Sequence, residues 1–220
     1  MDILKTIQTS ISFLPDSWKE RYALFLEEEH VYAFAKALQT YSQQGIPKDY
    51  GLPYFKEEMT PAPETVLTHF KPLLQTSSTT PEQWAKAIEV TPFEHLLVLI
   101  GQRWTSASIK DEHAIPPLQQ TLLDSCFAPY NDQISMVTRA WEKHTGRSAD
   151  AFWGIAKGNP MQKEETVREV VIKMIQTKTW WNVFYHYKHE LVYEIRVSTG
   201  HGIRWSKDGT QLIGFLEPFL

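Results

Sequence analysis

Residues 191–220, LVYEIRVSTGHGIRWSKDGTQLIGFLEPFL, decide the fold class. Leu191, Tyr193, Ile195 and Val197 alternate with Val192, Glu194, Arg196 and Ser198, the period of a strand with two unlike faces. Thr199-Gly200-His201-Gly202 reads as a turn and Ile203 to Ser206 as a strand. Lys207-Asp208-Gly209 then reads as a hairpin turn and Gln211 to Leu216 as the last strand. The aromatic run Thr179 to Tyr187 offers a further strand upstream. The expectation is an antiparallel meander of three or four strands.

Everything before residue 178 has helical spacing or loop composition. Thr80-Pro81-Glu82-Gln83 and Thr91-Pro92-Phe93-Glu94 each place threonine at a helix cap, proline at the first helical position and Gln or Glu three residues after the cap. The second opens HLLVLIGQRW, apolar nearly all round and hence a buried helix. Asn131 is expected to cap a helix carrying Ile134, Val137, Ala140 and Trp141. Asn159-Pro160 opens another, with Val167, Val170, Val171, Met174 and Ile175 inward. The stretch 45–63, GIPKDYGLPYFKEEMTPAP, reads as a long loop whose Tyr50, Tyr54 and Phe55 pack against the helices, the alternative being that they cover a pocket. The fold class is therefore α+β, predominantly helical, with the meander packed on helices. A single domain 1–220 is expected, divisible into a helical lobe 1–160 and a helix-plus-meander lobe 161–220.

Composition narrows the function classes. With 42% hydrophobic and 22% charged residues the chain is globular. Its net charge of −4 argues against a general polyanion binder, and nucleic acid is not an expected partner. Residues 161–220 hold eight Lys/Arg and seven Asp/Glu, so no basic face shows by count. The one cysteine, Cys126, excludes an internal disulfide. No uncharged run approaches the roughly 20 residues a bilayer span needs, so no membrane partner and a cytoplasmic location are expected.

Most motif matches fail on inspection. Glu27-x-x-His30 is half of a di-iron signature, but no second Glu-x-x-His exists, leaving a solvated acidic face. His186 and His189 would point to opposite faces of a regular strand, so they read as polar residues at a strand end unless a turn begins near Lys188. Cys126 has no basic neighbour in sequence to activate it. Gly200-His201-Gly202 lacks the third glycine and the helix of a dinucleotide fingerprint.

One constellation remains. A turn symmetric about Gly200 sets Arg196 across from Arg204, with Glu194 on the same face to neutralise one of them. Glu194, Arg196 and Arg204 are thus candidate ligand-binding residues, and His201, between two glycines, is the candidate acid or base. No metal site is expected. The reading is a protein that binds a small phosphate- or carboxylate-bearing ligand at the meander. The alternative is a non-catalytic interaction or regulatory module that meets a protein partner through its helical surface.

Overall fold

The computed structural model describes residues 2–76, 78–148 and 150–219. The chain forms two compact units, Met1–Tyr50 with Glu58–Ile115, and Gly51–Glu57 with Pro116–Leu220. The second unit therefore borrows a seven-residue strap from the middle of the first.

The first unit is helical: α1 (Ile3–Ser10), α2 (Asp16–Arg21), α3 (Glu28–Gln44), α4 (Pro63–Val66), α5 (Lys71–Gln75), α6 (Pro81–Val90) and α7 (Phe93–Leu99). Phe34, Phe70 and Trp84 form a chain of ring contacts through its core. Leu96, Leu97, Val98 and Leu99 of α7 are all buried, as an all-round apolar helix requires. The capping box expected at Thr80 is present, whereas α7 starts after Pro92 without a side-chain cap. His30 is buried, its Nδ1 2.7 Å from the Leu24 carbonyl oxygen, and so does not belong to a solvated face.

The second unit carries α8 (Gln119–Phe127), α9 (Met136–Thr145), α10 (Pro160–Thr177) and the strands β1 (Lys178–His186), β2 (Glu190–Val197), β3 (Gly202–Ser206) and β4 (Leu212–Leu216). The strands pair antiparallel in sequence order, the expected meander with its fourth strand, and the α+β class holds. Asn159 and Gln162 form the capping box that starts α10. Asn131 is not the cap of α9. Its Oδ1 accepts from the Gln133 and Ile134 amides in a local turn, and Ser135 caps the helix.

The sheet has two unlike faces. Trp181, Tyr193 and Trp205 form a ring ladder on one, next to Val183, Ile195 and Ile203, all buried. The other carries three cross-strand rows: Trp180–Arg196–Gly202–Leu216, Asn182–Glu194–Arg204–Gly214 and Phe184–Val192–Ser206. The strap and the chain end cover the first row, where Phe55 meets Trp180 and Phe219 at 5.8 and 5.5 Å. Thr179 Oγ1 also donates to the Leu52 carbonyl at 2.7 Å. Phe55 thus packs on this face of the sheet and on Phe219, not on the helices as its loop suggested. No helix among the described residues is long and apolar enough to cross a membrane.

Candidate functional site

The register corrects the expected pairing of the arginines. Arg204 lies opposite Glu194, and Arg196 opposite Gly202. The turn is centred on Thr199 rather than Gly200, with the Val197 amide donating to the His201 carbonyl at 3.0 Å. Moving a turn centre by one residue moves every pair by two, which brings the carboxylate directly across from one guanidinium.

Glu194 then bridges both cations. Arg196 Nε donates to Oε1 at 2.6 Å; Arg204 Nε and Nη2 donate to Oε2 at 2.8 and 2.5 Å. Arg196 Nη1 donates further to the Gly200 and Glu217 carbonyls, and its guanidinium lies 3.8 Å over the Phe219 ring. Burial pushes the Arg196 guanidinium below its ordinary value, and Glu194 opposes that shift. Arg196 is thus a structural cation with its Nε and Nη1 donors committed. Space for it depends on Gly202, where an added Cβ would meet the Ile195 carbonyl oxygen at 2.6 Å and Arg196 Cγ at 2.9 Å. Gly202→Ala is expected to destabilise the second unit by about 1–3 kcal/mol, read from urea unfolding; an unchanged midpoint counts against this packing.

Arg204 differs. Its side chain is part-exposed, its guanidinium bonds Glu194 and lies 5.6 Å from the centre of the Phe184 ring, and no acceptor for Nη1 is found among the described residues. Its neighbour on β4 is Gly214, where even an added Cβ meets nothing within 4 Å. This end of the face is open.

Two histidines stand there. Chain direction reverses at residues 187–189, with Glu190 at φ 56°, so His186 and His189 do not diverge as on a straight strand. Their rings stack with centroids 5.2 Å apart. Partial burial, and next the Arg204 charge, hold the His186 imidazole below its usual value. The Lys188 amide approaches His186 Nδ1 at 3.3 Å. Tyr187 beside them is 86% exposed and Tyr185 65%. The sequence signal for this pair was the three-residue spacing, whose meaning depends on where the hairpin turns.

His201 is not part of this face. It is buried, stacked on Phe152 at 3.8 Å with an interplanar angle of 1°, and edge-on to Trp153. Trp153 in turn meets Phe215, on the helix-packed side. The structure therefore brings Glu194, Arg196 and Arg204 together and turns the His201 side chain away from them, toward Phe152 and Trp153. Cys126 is buried, and burial pushes its thiol up to about 12, so it is no nucleophile.

Comparison with known proteins adds what geometry alone leaves open. Residues 123–217 match the model of the CdiA C-terminal tRNase toxin domain family. The match spans α9, α10 and all four strands, just under half of the chain. No curated protein matches. A solved structure, the toxic C-terminal tip of CdiA from Pseudomonas aeruginosa in complex with immune protein, is 26% identical. The similarity covers 43% of this chain and 99% of that one, with a TM-score of 0.38, too slight a likeness to carry structural detail across.

The family match overturns both readings of function taken from the sequence, the binder of a small anionic ligand and the non-catalytic interaction or regulatory module. Glu194 bridges the two arginines that suggested an anion site, and backbone carbonyls take up Arg196 Nη1, which leaves one net positive charge with Arg204 as its part-exposed member.

Proposed function

We propose that this chain is an RNA-cleaving toxin whose substrate class is transfer RNA, acting at the open end of the second sheet face. The observation that carries the reading is the family match over residues 123–217. Cleavage beside a 2′-hydroxyl needs a base for the hydroxyl proton, an acid for the departing 5′-oxygen and a cation over the phosphate. His186, His189 and Arg204 supply those three chemical types in one patch.

His186 is the base. Its lowered affinity for protons keeps it neutral at neutral pH, and the long contact from the Lys188 amide is given up when the ring proton moves to Nδ1. His189 returns a proton to the leaving oxygen, and Arg204 binds the phosphate. The phosphorus gains a bond to the 2′-oxygen and loses its bond to the 5′-oxygen, giving a 2′,3′-cyclic phosphate and a 5′-hydroxyl. Glu194 holds Arg204 in place. Exposed Tyr187, beside His186, offers a ring for an unpaired base to stack on.

A whole-chain net charge of −4 does not locate charge: Arg204, Lys188 and two imidazoles stand with Glu190 and Glu194 at this end of the sheet, so binding rests on individual donors and not on a basic patch. A chain that cuts transfer RNA also harms the cell that makes it, so a neutralising protein partner belongs to the same reading.

The test is incubation of the purified chain with total transfer RNA, followed by mapping of the cut and repetition on an oligonucleotide carrying one 2′-deoxyribose at that position. Cleavage is expected with the first and none with the second. Intact transfer RNA, or cleavage that ignores the missing hydroxyl, sinks the proposal.

A further inference from the structure

We infer that Asp150, His201 and Glu217 form a binding site for a divalent transition-metal ion, zinc being the ion whose usual ligands they match. The three side chains come from segments far apart in sequence: the loop after α9, the β2–β3 turn and the residue following β4. One nitrogen or oxygen of each lies within 4.8 Å of the others. His201 Nε2 is 2.7 Å from Asp150 Oδ2 and 3.9 Å from Glu217 Oε2.

Each side chain is held by a partner on its far side. Asp150 Oδ1 accepts from the Phe152 amide at 2.8 Å, which turns Oδ2 toward the imidazole. Glu217 Oε1 lies 3.0 Å from His144 Nε2, Oε2 receives a long 3.4 Å bond from Trp153 Nε1, and the Ser148 side chain also bonds this carboxylate. His201 Nδ1 is 2.9 Å from Thr199 Oγ1, and the ring is clamped between Phe152 and the edge of Trp153. With the Nδ1 proton given to the Thr199 hydroxyl, Nε2 presents a lone pair to two carboxylate oxygens. Three electron-rich atoms then face one point, and a cation resolves their repulsion.

Hydrogen bonds behind each ligand of this kind are what orient metal ligands in general. Tetrahedral zinc with bonds of about 2.0–2.2 Å sets its ligand atoms about 3.3 Å apart. The His201 spacings of 2.7 and 3.9 Å each differ from that value by about 0.6 Å, and the Asp150 and Glu217 oxygens, within 4.8 Å of one another, close by up to about 1.5 Å, movements that their part-exposed side chains permit. A bound ion fastens the end of β4 to the β2–β3 turn and to the residue-150 loop, on the face away from Arg204. The inference is therefore independent of RNA cleavage.

The full chain, stripped with EDTA and dialysed against zinc chloride, is expected to retain one zinc per molecule. Its thermal midpoint is expected to rise by roughly 5 °C at a hundredfold excess over Kd. The double variant Asp150→Asn with Glu217→Gln, both part-exposed and outside the core, is expected to lose both effects. Magnesium chloride, whose ion prefers all-oxygen octahedral sites, is expected to produce neither. The inference is overturned if the parent chain retains no zinc, which leaves a plain Asp150–His201 hydrogen bond. It is equally overturned if the double variant retains zinc, which places the ion elsewhere, as at His186 and His189.

Discussion

Replacing Glu194 by glutamine is expected to lower the unfolding free energy of the second unit by about 3–5 kcal/mol, the cost of stranding buried charge. The Glu194 side chain is 1% exposed, and Arg196 and Arg204 are 6% and 15% exposed. Glutamine keeps the shape and one acceptor oxygen but removes the only carboxylate between two guanidiniums. Arg196 cannot turn to solvent, because Phe219 covers it and the Gly200 and Glu217 carbonyls hold it. For a protein of this length the thermal midpoint should fall by on the order of 10 °C. A paired variant, Glu194→Gln with Arg204→Gln, should recover part of the loss, since one cation leaves with the anion. Calorimetry on the three proteins decides it. A Glu194→Gln midpoint within about 2 °C of the parent would falsify the view that this triad is a buried, mutually dependent unit.

Arg204→Ala should leave the fold in place yet reduce transfer RNA cleavage by about 10²–10³-fold, the usual cost of one donor aimed at developing charge. Glu194 keeps Arg196 as its partner in that variant, so no buried charge is stranded. His186→Ala and His189→Ala should each lose about 10²–10⁴-fold, and combining them should cost little more than either alone. The pH profile separates chemistry from simple RNA binding. Protonated His186 cannot accept a proton, so activity falls on the acid side as pH drops through its pKa. Burial and the Arg204 charge hold that pKa down, so the acid limb lies below the ordinary histidine value of about 6.5. Removing the Arg204 charge lets the pKa rise, so the residual activity of Arg204→Ala should show an acid limb moved toward higher pH. An unmoved limb, or single-histidine variants with parental rates, would take the reaction away from this hairpin.

Much of the architecture was legible from local chemistry. The alternation from Leu191 onward, the Lys207–Gly209 turn and the capping residues at Thr80 and Asn159 act over a few neighbours, so their outcome follows from spacing alone. The site was legible only in part. Glu194, Arg196 and Arg204 are brought together as expected, yet their pairing hinged on which residue centres one turn, and propensity does not resolve a choice between Thr199 and Gly200. His201 was grouped with them by nearness in sequence, although strand alternation and the packing of Phe152 and Trp153 carry it to the opposite face.

The sequence by itself determined an α+β chain with a C-terminal antiparallel meander, a buried α7 and a single unreactive thiol, because each depends on periodicity, capping or composition. Tertiary structure alone decided that Gly51–Glu57 and Phe219 seal one end of the second sheet face, leaving Arg204, His186 and His189 at the other. It also decided that Asp150 and Glu217, 67 residues apart, meet at His201. Contacts between segments that distant are set by how helices and strands fill the same core, which no local pattern of residues encodes.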